Sequence, residues 1–486
     1  MKLLYEMESN VVIICCVATL FCLCCAEEVK LTVRGATSIA KTDEDFICAT
    51  LDWWPETKCN YNQCPWGKAG ILNLDLENKV LANAIKAFSP LRIRIGGSLQ
   101  DQVVYDVGTL VPKCPHFKRS DGGLFGFSKG CLQMERWDLI NKFFDETGAK
   151  MTFGLNALIG RKKARAGDSL MVGKWDPKNA YDLIKYTASK GYKIDSYELG
   201  NELCGSGVSA RIEAEQYGKD IIVLKKLVQE LHPDPATRPK VLGPAGFYDK
   251  QWFDTFLETS GPNVVDGLTH HIYNLGAGVD PALINKVQDP NFLDQISQTY
   301  SDISSSIKLH GPWSGAWVGE AGGAYNSGGK YVSHSFVDGF CWLFAPFCSA
   351  LLWHRLMGTN VLSASHIGSP YLRAYSHCSK QTKGISVLLI NMSNSTTFDV
   401  LVEDDTKSYN QEYSSANQRE EYHLKPKDGN ILSDVLLLNG VPLKLTATFD
   451  IPVMNPQLVS AALPIKIDPD SIVFAVLKGF KAPACA

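Results

Sequence analysis

The sequence predicts an α/β protein: a (β/α)8 TIM barrel lacking its eighth strand, followed by a C-terminal antiparallel β-sandwich. Three observations carry this. From Phe46 to about Gly323, short apolar runs alternate with amphipathic segments of helical period, the pattern of a parallel sheet with helical crossovers. After Ser365 strand-like runs follow one another between polar or Pro/Gly turns, with no helix between them. Finally, two apolar runs, Tyr197–Gly205 (YELGNELCG) and Ala316–Gly323 (AWVGEAGG), carry Glu202 and Glu320 among small or amide residues. A barrel strand presents an acid to a substrate from its C-terminal tip in this way.

In chain order, the first element is Val11–Cys25, an uncharged apolar run followed by Ala26 and the pair Glu27–Glu28. Cys24 and Ala26 are small residues suited to a cleavage site, so residues 1–26 read as a signal peptide, although the preceding MKLLYEMESN lacks a positive flank. A membrane anchor is the competing reading, disfavoured because the run is short for a span. The expected destination is secreted or extracellular, at the cell wall, with lysosome or vacuole as alternatives. Within residues 27–45, Lys30–Ile39 has β character and is expected to join the sandwich.

Residues 46–365 are assigned to the barrel. Its strands are expected at Phe46–Leu51, Leu91–Gly97, Met151–Leu158, Ile194–Glu202, Val241–Gly246, Val265–Tyr273 and Ala316–Gly323. Helices are expected at Ala180–Lys190, ended by Gly191, and at Arg211–Leu231, stopped before Pro233. The second helix sets Ile212, Tyr217, Ile221, Leu224 and Val228 on one face. A doubly wound open sheet would alternate similarly, but no Gly-rich phosphate turn follows the first strand. Residues 366–486 form the sandwich, with strands at Ile385–Asn391, Phe398–Val402, Val435–Leu438, Leu443–Phe449 and Ser471–Leu477.

At 486 residues and 45% hydrophobic, the chain can bury one large core and a smaller one. A net charge of −3 gives no electrostatic reason to expect nucleic acid as a partner. Ten cysteines follow the N-terminal run, an even count that favours disulfides behind a signal sequence. Cys59/Cys64 and Cys114/Cys131 are near enough to close local loops, and Cys378/Cys485 could staple the C-terminal domain. Zinc is the rival, without CxxC or HxxxH spacing to support it. Asn391-Met-Ser and Asn394-Ser-Thr are glycosylation sequons.

Two glutamates delivered by separate strands are what hydrolysis of a glycosidic bond requires. One carboxyl protonates the leaving oxygen while the other attacks the anomeric carbon or activates water, and retention needs them about 5–5.5 Å apart. Asn201 adjoins Glu202, and Asn is otherwise poor in a strand. Each residue also has a plain structural reading: a salt-bridged or surface glutamate, a turn-initiating Asn201, a core His271, an Asp52 that caps a turn.

The segments LDWW (51–54), SPLRIRIGGSLQD (89–101), SYELGNELCG, LTHHIY (268–273), WVGEAGGAYNSG and LLWHRLMGT (351–359) resemble plant heparanase-like proteins and β-glucuronidases of glycoside hydrolase family 79. The resemblance spans nearly the whole chain after the N-terminal run. It implies a (β/α)8 barrel with a β-sandwich, retention of configuration and action on β-linked glucuronides. By resemblance Glu202 is the acid/base and Glu320 the nucleophile. Asn201 would bond the sugar 2-hydroxyl, Tyr273 would orient the nucleophile, and His271 would be a pocket residue. Asp52 and Ser98, the latter replacing the usual threonine, would bind sugar after the first two strands, and the backbone at Asn326 and Ser327 would contact it after the strand of the nucleophile. No metal or organic cofactor is implied. The expected partner is a glucuronic-acid-containing glycan or glucuronide, with no nucleic acid; peripheral membrane or cell-wall association fits the N-terminal run.

One segment departs from that pattern. The chain passes from SFVDGFCWLF (335–344) through Ala345–Cys348 straight into SALLWHRLMG, without the family's eighth strand or its Gly-Asn-Tyr loop, which helps hold the uronate carboxylate. Residues 335–357 read as helical and apolar, with a kink at Pro346. Three outcomes are open: a fused helix plugging a distorted barrel, a catalytically impaired or inactive carbohydrate-binding relative, or an aberrant splice product. A hydrolase of the same clan acting on neutral β-sugars is a further reading.

Overall fold

A computed structural model describes residues 26–109, 113–341, 347–405 and 418–486. The expected signal peptide or anchor and the kink at Pro346 lie outside them. By contacts the chain divides into two units, one comprising residues 43–354 and 444–453, the other the described residues up to 42, 355–443 and 454–486.

The first unit is built on seven parallel strands: Cys48–Asp52, Arg92–Gly96, Lys150–Leu155, Ser196–Leu199, Lys240–Phe247, Gly267–Ala277 and Gly315–Tyr325. They pair in sequence order, each with the next, giving a nearly closed barrel. All seven fall on the expected runs. Among the described residues no strand joins the seventh to the first, so an edge stays open on each. Interior strands are buried on both faces, which is why MTFGL reads as a near-continuous apolar run, whereas RIRIG buries two arginines as well. The edge strands are more exposed, with Cys48, Ala49, Ala316 and Ala321 open to solvent.

Crossover helices pack outside. Ala214–Leu231 buries Tyr217, Ile221, Leu224 and Val228, the stripe its period predicts, though Ile212 precedes the helix. Met134–Thr147 ends at Gly148, whose φ of 68° closes the helix in the left-handed conformation. In the region read as one kinked helix, two helices are described, Asp338–Cys341 and Phe347–Leu356.

The second unit holds an eleven-stranded, mostly antiparallel sheet. The N-terminal strand Glu27–Lys41 pairs antiparallel with Met357–Ser365 and parallel with Phe398–Asp404. Its Val29, Leu31 and Val33 share one core with Phe398, Val400, Ile465 and Ile467, and equally with Ile385, Val387, Leu389, Val473 and Ala475 from the other half of the sheet. One core served by both halves means the sheet folds over on itself as a sandwich.

Three expectations need correction here. Met357–Ser365, assigned to the barrel, is a sandwich strand, so the barrel assignment to residue 365 runs about ten residues too far. Leu443–Phe449 is not a strand. Thr446 and Asp450 bond each other's backbone and side chains, turning the chain, and Leu445 and Phe449 are exposed instead of packed. The sequon residue Asn391 is fully buried, its amide donating to the carbonyls of Thr396 and Asp468. It cannot accept a glycan in the folded state, whereas Asn394 is exposed.

All three proposed cysteine pairs are bonded: Cys59–Cys64, Cys114–Cys131 and Cys378–Cys485. The last closes a separation of 107 residues. Replacing both Cys378 and Cys485 by Ser should therefore destabilise the sandwich by about 2–5 kcal/mol. Denaturant unfolding followed by circular dichroism checks this; an unchanged midpoint would contradict it.

Candidate active site

The barrel strands bring their C-terminal ends together, and most sequence-selected residues meet there. His271 and Tyr273, two apart on the sixth strand, point to the same side of the sheet. His271 is in register with Glu320 of the seventh strand. Glu202 lies beyond the fourth strand, which ends at Leu199 and not at Glu202 as expected. It has a left-handed φ of 54°, unusual for a residue with a side chain, and its N–H donates to the Ala245 carbonyl at 2.6 Å.

The two carboxylates come close. Acceptor atoms of Glu202, His271 and Glu320 all lie within 4.8 Å of one another. His271 Nδ1 is 3.1 Å from Glu202 Oε1 and 3.9 Å from Glu320 Oε2. Separation on this scale is compatible with the carboxyl spacing of a retaining pair, about 5–5.5 Å.

Arg94, in the second strand, organises the floor. Its guanidinium donates to Glu198 Oε2 at 2.5 Å, to Glu320 Oε2 at 3.0 Å and to Asn201 Oδ1 at 2.8 Å. Tyr273 donates its phenolic proton to Glu320 Oε1 at 2.6 Å. Burial pushes the Glu320 carboxyl up, but His271, Arg94 and the Tyr273 hydrogen bond outweigh it and hold Glu320 below the usual carboxylate range. Tyr273 is pushed the other way, by burial and by Glu320, so its phenol stays protonated.

Asn201 is fixed at two points, through Oδ1 on Arg94 and through its N–H on Asp101 Oδ2 at 2.8 Å. Its Nδ2 is buried without a partner, as is Nε2 of His271. Asp101 also accepts from the Ala157 N–H, yet burial prevails and raises its pKa to about 7. Asp52 ends the first strand beneath Gly97. A Cβ at Gly97 would lie 1.9 Å from Asp52 Oδ1, and the glycine φ is 93°, so this approach requires glycine. Burial, with repulsion from Glu320 and Glu202, raises the Asp52 pKa well above its ordinary value. Ser98 is half-buried on the turn after Gly97.

Asn326 and Ser327 follow the seventh strand, and their side chains are engaged within the protein. The Ser327 hydroxyl accepts from Asn60 Nδ2 at 2.7 Å and Trp66 Nε1 at 2.8 Å, and Asn326 Nδ2 donates to the Tyr61 hydroxyl at 3.0 Å. These side chains clasp the loop after the seventh strand to the loop after the first, which the Cys59–Cys64 disulfide braces. The clasp spans the side of the barrel where the sheet is open.

Residue-by-residue reading missed Arg94, Glu198, Asp101 and the clasp. The first two had a signal: charges inside the apolar runs RIRIG and SYEL violate the pattern of a doubly buried strand, and such violations gather at functional sites.

A model for "Glycosyl hydrolase family 79, N-terminal domain" matches residues 28–345. The chain belongs to glycosyl hydrolase family 79. It is similar to Heparanase-like protein 2 of Arabidopsis thaliana, 49% identical, covering 95% of this chain and 96% of that protein. That comparison runs over 517 positions against 486 residues here, so the relative carries sequence without a counterpart in this chain. Baicalin-beta-D-glucuronidase of Scutellaria baicalensis is 35% identical, covering 97% and 96%. Among solved structures, a GH51 arabinofuranosidase from Xanthomonas axonopodis pv. citri shares the fold with a TM-score of 0.61 at 13% identity, covering 93% of this chain and 99% of that one. A 4-O-alpha-L-rhamnosyl-beta-D-glucuronidase from Fusarium oxysporum 12S does so at 0.59 and 12%, covering 92% and 100%. As a family 79 member the chain is a glycoside hydrolase.

Replacing Arg94 by Met would leave Glu198, which is fully buried, without its counter-charge. The expected cost is about 3–5 kcal/mol. The double replacement of Arg94 by Met and Glu198 by Gln should recover much of it, and urea unfolding of the three proteins tests the coupling.

Proposed function

We propose that this glycoside hydrolase cleaves β-linked glucuronic acid from a glycan or glucuronide with retention, by double displacement. The observation that carries this reading is the approach of the Glu202 and Glu320 carboxylates, with Glu320 held ionised by Arg94 and Tyr273. Glu320 attacks the anomeric carbon. The C–O bond to the aglycone breaks as Glu202 delivers its proton to the leaving oxygen. Glu202, now a carboxylate, then takes a proton from water, which attacks the glycosyl ester and frees Glu320.

The surroundings support each role. An ionised Glu320 is the form able to attack, and the Tyr273 and Arg94 hydrogen bonds, one to each oxygen, fix its orientation. The unpartnered Nδ2 of Asn201 is a donor suited to the sugar 2-hydroxyl, and the Ser98 hydroxyl and the Asp52 carboxyl suit ring hydroxyls. Glucuronide specificity rests on relatives named as heparanases and as a β-D-glucuronidase. Secretion is part of the proposal, supported by the three disulfides.

The open side of the barrel favours a second reading, a catalytically impaired carbohydrate-binding relative that keeps both glutamates. A fluorogenic β-glucuronide separates the two. Under the leading proposal wild type turns over and Glu320→Ala loses at least about a thousand-fold in kcat/KM, roughly 4 kcal/mol. Equal rates for both would defeat it. Proton NMR of the first-formed sugar should show the β-anomer; the α-anomer would rule out double displacement.

The acid limb of the rate profile follows from the same geometry. Since the folded pKa of Glu320 is depressed, activity should persist below the ordinary carboxylate range and fall only as pH drops through the lowered value. Tyr273→Phe removes one stabilising hydrogen bond, so that limb should move to higher pH; a limb that stays put or moves down would contradict the assignment.

A further inference from the structure

The loop that follows the first barrel strand carries a cation which the catalytic scheme does not use. Lys58 is half-buried, with Nζ 3.9 Å over the ring of Trp54. Trp54 in turn packs against Trp66, Phe125 and Phe127 at centroid distances of 6.4, 6.0 and 6.0 Å. Arg119 lies over Phe127 at 5.0 Å and donates to the carbonyl of Thr57, the residue before Lys58. Two cations therefore share one aromatic patch.

Among the described residues Lys58 has no salt bridge. The carboxyl within its electrostatic reach is Asp52, whose own ionisation is opposed by burial and by Glu320; its pull on Lys58 is outweighed by burial, which leaves the Lys58 pKa lowered. Burial, with Arg119 adding to it, makes the Lys58 charge costly, and an arriving anion would relieve that cost. Arg94 is buried and its charge is already engaged by Glu198 and Glu320, with Asn201 bonded beside them. Position agrees with chemistry. Lys58 follows six residues after Asp52, the C-terminal end of the first barrel strand, and Asp52 feels the charges of Glu320, Glu202 and Lys58. The loop bearing it is clasped to Ser327 across the open side of the barrel.

We propose that Lys58, seated on Trp54 and flanked by Arg119, receives the carboxylate of a uronic acid bound between Glu202 and Glu320. This rests on the proposed glucuronidase reading and makes its specificity a property of the loop after the first strand. A lysine offers a point charge to one carboxylate oxygen, and the tryptophan ring limits its rotamers while excluding water.

The test compares kcat/KM for 4-methylumbelliferyl β-glucuronide and β-glucoside in wild type, Lys58→Met, Lys58→Gln and Lys58→Arg. The glucuronide-to-glucoside ratio should fall at least about ten-fold in the Met and Gln variants, carried by KM, and be largely restored in the Arg variant. A ratio unchanged in both neutral variants would overturn the proposal. Calorimetry with glucuronic acid and glucose on Glu320→Gln, with and without Lys58→Met, removes the dependence on turnover. Glucuronic acid should bind more tightly than glucose, and Lys58→Met should abolish the difference; equal affinities before the change, or a difference that survives it, overturn the proposal. If wild type hydrolyses neither substrate, the hydrolase mechanism fails and this binding arm alone decides the role of Lys58.

Discussion

The guanidinium of Arg94 meets three groups from different parts of the chain, Glu198 in the fourth strand, Asn201 just beyond it and Glu320 in the seventh. Two carboxylates and one cation buried together would be unfavourable if any member were left unpaired. Here Glu198 supplies the counter-charge that keeps Arg94 in the barrel, and Arg94 in turn holds Glu320 ionised and Asn201 oriented. Asp101 fixes Asn201 from its backbone side. The site is therefore pinned from below by charge, and the neighbouring Glu202 reaches it from a left-handed turn tied to the fifth strand. This is preorganisation by residues that need never touch a substrate.

The seven-stranded sheet shows how such a site tolerates an incomplete ring. The candidate site's groups come from strands, or from the turn just beyond one, that are all present and pair continuously from first to seventh. The open side is met at the C-terminal face by loop contacts, Asn60 and Trp66 on Ser327 and Tyr61 with Asn326, braced by Cys59–Cys64. Backbone pairing along the first and seventh strands is not replaced by these contacts, and their outer residues remain exposed. The clasp thus preserves the geometry of the rim without closing the sheet.

Legibility differed among elements for physical reasons. The seven strands and the helix Ala214–Leu231 were readable because burial on a fixed face imposes a period on the sequence. The local cysteine pairs were readable because close spacing restricts their choice. Leu443–Phe449 misled because alternation says nothing of whether a core awaits the apolar residues, and threonine hydroxyls there captured the backbone instead. Met357–Ser365 misled because it continues an apolar helical run, and only its pairing with Glu27–Lys41 on one side and Leu372–Ser379 on the other makes it a sandwich strand.

By itself the sequence determined the barrel-plus-sandwich class, the seven-strand count, and Glu202 and Glu320 as paired acids, since those follow from local pattern and from the chemistry of particular residue types. Only tertiary structure decided the partners of particular groups: Arg94 bonded to Glu320, Asp52 under Gly97, Asn391 sealed inside the sandwich, the Ser327 hydroxyl held by Asn60 and Trp66. These are contacts between residues up to several hundred positions apart. Their energies depend on distance and burial in three dimensions, quantities that a linear pattern does not encode.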